Sequence, residues 1–299
     1  TWRSVWLVLE TLGLAGLLAA IACGTLGFSQ PARVVAMLAA GCWIHRIYVV
    51  GHEAVHRKLF PHAPQLNDLV GQLLLLIMLV PLPVYRKIHF FHHGHNRRDP
   101  HTSALDIYAV PPGAGKLRRG ICQLLWFVSV FCGGFFIHSV VSILLFLCLP
   151  LRLAKRVSPA FRGWSAGDRL RSWVAFAAGL SLHAFLIQFT GWQTWAQICG
   201  YPMLVFAWVY SLFVYIYHYR TELGAPTHKN VRSLRRHPLI ARWLLNFHEH
   251  TAHHRDPTLP WYALPEAGAK LAPGPRMTIW RAVAQQLRGP TIRVRGEAG

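Results

Sequence analysis

Ala32-Arg-Val-Val-Ala-Met-Leu-Ala-Ala-Gly-Cys-Trp-Ile-His-Arg-Ile-Tyr-Val-Val50 runs without a break into Gly51-His52-Glu53-Ala54-Val55-His56. The apolar part approaches the roughly 20 residues a helix needs to cross a bilayer. Histidines four apart share one helix face, one turn from each other. A membrane helix that delivers two imidazoles at its end is the first expectation. Further apolar runs lie at 5–28, 69–84, 121–149, 173–190 and 195–217. With 53% hydrophobic and 14% charged residues and a mean hydropathy of +0.30, the composition is that of a membrane protein. Bilayer-length runs interleaved with the basic residues argue against a nucleic-acid binder.

Loop charge sets the expected topology. Arg152, Lys155, Arg156, Arg162, Arg169 and Arg171 place 151–172 in the cytoplasm, whereas the turns near 29–32 and 191–194 are short and uncharged. Run 69–84 is short and contains Pro81 and Pro83, which break helices. Gly133 and Gly134 permit a break inside 121–149. The expectation is an all-α integral membrane protein of four transmembrane helices in two hairpins, with membrane-lying helices between them. Residues 50–120 and 218–299 would form a cytoplasmic histidine-rich cap, and 1–299 reads as one domain. The first run is too long for a signal-peptide core and reads as a retained span. Cys23, Cys42, Cys122, Cys132, Cys148 and Cys199 all lie in apolar stretches without a CxxC pair, so neither a thiolate zinc site nor a disulfide framework is indicated.

The chain has 18 histidines, and three clusters stand out: His52-Glu-Ala-Val-His56, His89-Phe-Phe-His92-His93 and His250-Thr-Ala-His253-His254. Chance alone would give one HxxHH roughly 0.06 times in such a chain, so two copies beside an HxxxH are a strong signal. Neutral imidazole is a good ligand for iron and zinc, and these boxes suffice for more than one ion. His218, in Tyr215-Ile-Tyr-His218-Tyr-Arg220 at the end of the last apolar run, is a ninth candidate with His228 as its rival. His95 and His248 stand open as ligands or as donors to ligands. His45, His62, His101, His138, His183 and His237 read as packing or interfacial residues.

The boxes and the words around them resemble the membrane fatty acid desaturase/hydroxylase superfamily. Those words are Tyr85-Arg86-Lys-Ile-His89-Phe-Phe-His92-His93 with Asn96-Arg-Arg-Asp99-Pro100, and Asn246-Phe-His-Glu-His250-Thr-Ala-His253-His254 with Pro257-Thr-Leu-Pro260-Trp261-Tyr262-Ala-Leu264-Pro265. The resemblance covers about 50–110 and 205–266. It implies a four-span fold with two iron ions held by His52, His56, His89, His92, His93, His250, His253 and His254, with His218 added. It also implies an O2-dependent oxidase that attacks an unactivated C–H bond of a lipid, with fatty acyl desaturation first and lipid or carotenoid hydroxylation or ketolation second. The first box departs from the family's frequent His-Asp, because Glu53 follows His52.

The first box is also literally HExxH, a zinc-protease motif in which Glu53 would be the general base. An intramembrane protease would need a third ligand, for which Asp68 and Glu222 are the nearby carboxylates, and has no use for two HxxHH boxes. A metal transporter needs ligands within the spans, and a soluble di-iron carboxylate protein needs paired Glu-x-x-His motifs. The +20 balance fits positive-inside topology, anionic headgroups, and docking of an acidic electron donor such as ferredoxin. Arg276, Arg281, Arg288, Arg293 and Arg295 extend that charge into the tail. The expected partners are a lipid or fatty acyl substrate, O2, the membrane and a separate donor, with no nucleic acid. The expected location is a bacterial inner membrane with the boxes facing the cytoplasm. Trp208, Tyr210, Phe213, Tyr215 and Tyr217 are candidates for a lipid tunnel or for packing.

Overall fold

The computed structural model describes residues 2–96, 109–222, 230–271 and 276–291. It is helical, without a β-strand among the described residues. In chain order the helices are α1 (Trp2–Ala22), α2 (Gln30–Val55), α3 (Pro64–Leu75), α4 (Leu82–His95), α5 (Lys116–Phe131), α6 (Gly134–Cys148), α7 (Leu151–Val157) and α8 (Ala166–Thr190). They are followed by α9 (Trp192–Trp195), α10 (Tyr201–Phe213), α11 (Pro238–Trp243), α12 (His250–Arg255), α13 (Leu264–Ala269) and α14 (Ile279–Gln285). A π-helical stretch, Ala196–Gly200, joins α9 to α10. Among the described residues, four helices are long and apolar enough to cross a membrane: α1, α2, α8 and the continuous Trp192–Phe213.

The two remaining apolar runs are bent. Pro64–Met78 and Leu82–His95 meet at 96°, and Lys116–Phe131 and Gly134–Cys148 at 93°. Gly133 makes the second bend with φ +83. The helices close tightly there, since a Cβ on Gly134 would lie 2.8 Å from Ser129 Cα. A side chain at either glycine would meet strain or backbone, which explains why the break falls at this pair.

The chain divides into two compact units, Thr1–Arg86 with Ile137–Ala154 and Gly163–Val209, and Lys87–Phe136 with Lys155–Arg162 and Tyr210–Gly299. In the first unit α1 and α2 pair. The Trp43 indole donates to Thr11 O at 2.8 Å, and Arg46 meets Glu10 at 3.5 Å. A charge on an apolar helix is costly unless paired, and this pair lies between the two helices. Small residues then let backbones approach. A Cβ on Gly41 would lie 2.4 Å from Val205 Cβ, and one on Gly179 would lie 2.8 Å from Leu76 O. His183 is a packing residue, as expected. Trp195 donates to its Nδ1 at 3.1 Å, which leaves Nε2 to donate to Ile77 O at 3.0 Å. The entry to α8 is a capping box, with Ser165 and Asp168 exchanging side-chain and backbone bonds. Outward, α8 exposes Leu170, Val174, Phe185 and Phe189, the surface a lipid-facing helix presents.

In the second unit α5 exposes Leu117, Ile121, Leu124 and Val128 along one face and buries Trp126, Ser129 and Val130 on another. The Trp126 indole donates to Gln286 O at 2.8 Å, and Gln286 Nε2 donates to Leu212 O at 2.9 Å. Tyr219 Oη donates to Gly289 O at 2.7 Å. The segment around α14 is thereby pinned both to α5 and to the end of α10.

Candidate metal centre

The first box occupies the last turn of α2, where four carbonyls have no partner within the helix. Arg86 Nη2 and Asn67 Nδ2 each donate to Ala54 O at 2.9 Å, and Arg86 Nε donates to Val55 O at 2.9 Å. Asp68 accepts both Arg86 Nη groups, at 2.9 and 2.6 Å, so the cap is itself braced. Partial burial alone would raise the Asp68 carboxyl. The Arg86 and Asn67 hydrogen bonds and the Arg86 and Arg57 charges outweigh it and hold the group below its usual value of 3.8. On this rigid end His52 and His56 are buried, with ring centroids 4.7 Å apart. Asp68 is committed to Arg86 and Glu222 is exposed, so neither nominated third zinc ligand is offered as one.

The second unit holds the other two boxes and His218. The second box lies on the last turns of α4 and the third forms α12. The turn that follows α10 carries His218, with the amides of His218 and Tyr219 both bonded to Tyr215 O. The spacing of three and four suggests that each box aims its imidazoles at one point, but both HxxHH boxes divide: the i,i+4 pairs His89/His93 and His250/His254 stay together, while His92 and His253 each turn to the opposite group. His92, His218, His250 and His254 each offer a ligand atom within 4.8 Å of the others. His250 Nε2 lies 3.1 Å from His218 Nε2, and the His92 ring centroid lies 4.7 Å from that of His218 and 5.0 Å from that of His254. In the other group His93 Nε2 lies 3.0 Å from His89 Nε2, and the His93 and His253 rings are 4.6 Å apart.

This chemistry fits a metal ion. Nitrogens at right angles on an ion bound at about 2.1 Å stand about 3 Å apart, and those of a tetrahedral set about 3.4 Å, so the 3.0 and 3.1 Å separations here suit ligands of one ion. Burial pushes His92 down to about 4. Burial first, and then the neighbouring imidazoles, push His250 and His254 well below the usual 6.5. These rings are therefore neutral at physiological pH, as ligation requires. Both ring nitrogens of buried His254 have no hydrogen-bond partner among the described residues, a costly state for an imidazole with no ligating role.

The remaining candidates separate cleanly. His95 stacks on Phe91 at 4.2 Å and 11°, and belongs to neither group. His248 is buried beside Glu249, 3.6 Å away, and Glu249 is paired with Arg276 at 2.5 Å. His62 and His237 are exposed, and His45 packs near Tyr48 and Phe206. His101 and His228 lie outside the described residues, as do Asp99, Pro100, Arg293 and Arg295. Among the aromatics, Tyr215 packs with Trp126, Phe135 and Tyr219, Phe213 with Trp243, and Tyr217 with His250 and Phe247. These contacts show packing, and Trp208 is exposed on its helix.

Sequence reading passed over the Arg86–Asp68 brace and two asparagines at the second group. Asn96 Nδ2 lies 2.7 Å from His218 Nδ1, and Asn230 O lies 3.4 Å from the same nitrogen. Only one signal for Asn96 was present, its position four residues after His92 and so on the same helix face.

A family model described as fatty acid desaturase matches residues 29–282. An omega-3 fatty acid desaturase of the chloroplast from Glycine max is 26% identical over 283 residues, covering 89% of this chain and 59% of that protein. An omega-3 fatty acid desaturase of the endoplasmic reticulum from Vigna radiata is 25% identical over 245 residues, covering 77% and 62%. The chain thus spans about three fifths of the length of these relatives. With the match extending over most of its length and across every histidine box, the chain belongs to the fatty acid desaturase family.

Proposed function

We propose that this chain is an O2-dependent di-iron oxidase of a membrane, acting as a fatty acyl desaturase. The observation that supports it most is the set His92, His218, His250 and His254, four imidazole donors whose ligand atoms lie within 4.8 Å of one another. His89, His93 and His253 are assigned to the other ion, and His52 and His56 are assigned as iron ligands by motif match. Imidazole donors suit iron and withstand oxidising conditions that thiolates do not. Two iron ions bound there would supply activation of O2 and removal of hydrogen from an unactivated C–H bond.

The chain's own residues do the rest. Apolar spans bring an acyl chain to the site from within the bilayer and exclude water from it. Arg86, Asn67 and Asp68 fix the end of α2, so His52 and His56 keep their direction. Burial holds His92, His250 and His254 below their usual value, which keeps their lone pairs available. Desaturation of one CH2–CH2 unit with O2 gives a double bond and two waters, and it consumes two electrons and two protons from outside. A separate acidic donor such as ferredoxin is assigned to the basic face, and the basic loop 151–172 assigns that face and the boxes to the cytoplasm.

The test is metal analysis of detergent-purified protein, followed by lipid product analysis in cells that express it. About two ions per chain and a new double bond support the reading. An alcohol or ketone in place of the double bond would move the chain to hydroxylation or ketolation within the same superfamily. One ion, lost without His56 but kept without His92 and His253, would overturn the oxidase in favour of the HExxH protease.

A further inference from the structure

We propose that Asn96 is a positioning residue for His218, accepting the Nδ1 proton so that Nε2 is presented to an ion; this rests on the di-iron reading above. His218 is 1% exposed, Asn96 2% and Asn230 0%, so every polar edge in this cluster must find a partner inside the protein. The two nitrogens of His218 face different surroundings. Nε2 lies 3.1 Å from His250 Nε2, on the ligand side. Nδ1 faces the Asn96 carboxamide at 2.7 Å and Asn230 O at 3.4 Å. A neutral imidazole that ligates through Nε2 carries its proton on Nδ1, and that proton needs an acceptor.

One of the two bonds between the asparagines survives a turn of the Asn96 carboxamide, the one that Asn230 gives to the Asn96 backbone. Asn230 Nδ2 donates to Asn96 O at 3.0 Å, and Asn96 Nδ2 donates to Asn230 O at 3.2 Å. The turn gives up the Asn96 Nδ2 bond to Asn230 O; Thr221 Oγ1, 2.7 Å from Asn230 O and 2.8 Å from His218 O, has one proton and supplies Asn230 O in its place, since His218 O also accepts from Thr221 N. Asn96 Oδ1 is buried with no hydrogen-bond partner among the described residues, an acceptor held in reserve beside His218. Oxygen and nitrogen of a carboxamide exchange places by a half-turn that leaves its shape unchanged. The ligating tautomer of His218 therefore fixes Oδ1 toward Nδ1. Helical spacing supplies the rest, because Asn96 N bonds to His92 O at 2.8 Å and one face of α4 carries both a ligand and the residue that orients another.

Asparagine either donates or accepts, aspartate only accepts, and alanine does neither. The full chain in detergent is titrated anaerobically with Co2+, whose visible absorption reports the ligands around each ion. Thermal unfolding and gel filtration check that each variant is folded. The expectation for Asn96→Ala is that one of the two ions binds about 10–100-fold less tightly, while the other is unchanged. Asn96→Asp should hold both ions at least as tightly as the parent and restore the parent spectrum. If folded Asn96→Ala binds both ions like the parent, the assignment is wrong. It is equally wrong if Asn96→Asp loses as much affinity as alanine, since Asn96 then donates to His218. Should the alanine variant not fold, the aspartate arm decides alone. A parent chain that takes up no second ion overturns the di-iron reading, and this inference with it.

Discussion

At the scale of single residues, most of what makes the centre is local and could be read directly. Ligand spacing of three and four is a property of one helix turn, so the boxes announce themselves. The groups that hold the boxes in place do not, because their partners lie far off in sequence and are of common types. Arg86 reaches back to Ala54 and Val55, and Arg276 reaches back to Glu249. Replacing His254 by Ala is expected to reduce bound metal from about two ions to about one, while His62→Ala leaves the count unchanged; elemental analysis decides. A second expectation concerns Gly268, where a Cβ would lie 2.2 Å from Glu249 Oε2. Gly268→Ala should displace a carboxylate pinned by Arg276 and cost about 1–3 kcal/mol, read as a fall in unfolding temperature.

At the scale of elements, the spans were legible as runs of apolar residues and their ends were not. The run at 32–50 belongs to a helix that continues to Val55, and that at 173–190 to one that begins at Ala166. In both cases a polar turn continues the helix because specific bonds close it: Arg86 and Asn67 at the first, and the Ser165–Asp168 box at the second. Hydropathy does not register such bonds. Where the last run was read to 217, the helix stops at Phe213 and a turn delivers His218. Two expectations follow from these joints. Gly41→Leu should force α2 away from Val205 and lower thermal stability by about 2 kcal/mol, along with metal content. The Asp68 brace should show in acid. A folded-state carboxyl held below its unfolded value adds stability above that value and loses it as pH falls through the folded one. The unfolding temperature should therefore drop below about pH 4, and less steeply in Asp68→Asn, which lacks the charge from the start.

At the scale of the whole molecule, composition and loop charge gave the class and the span count, and they also make a claim about sidedness that helix geometry alone does not test. A protease-sensitive tag inserted after Arg162 should be cut only from the cytoplasmic side, and one after Gly191 only from the other. The reverse pattern would remove the cytoplasmic assignment of the boxes. The division into units was not legible, because each is assembled from three separated stretches and no linker marks a boundary. That interleaving has a consequence for the order of events in the cell. The set His92, His218, His250 and His254 is complete only when its last member has been made, and at about 5–20 residues per second the ribosome needs some 10–30 s to travel from the first to the last. The α14 segment that clasps Leu212 and Tyr219 emerges later still. On the proposed di-iron reading, loading at this set is consequently a late event, and a nascent chain stalled before residue 250 has its apolar spans but lacks two of the four imidazoles.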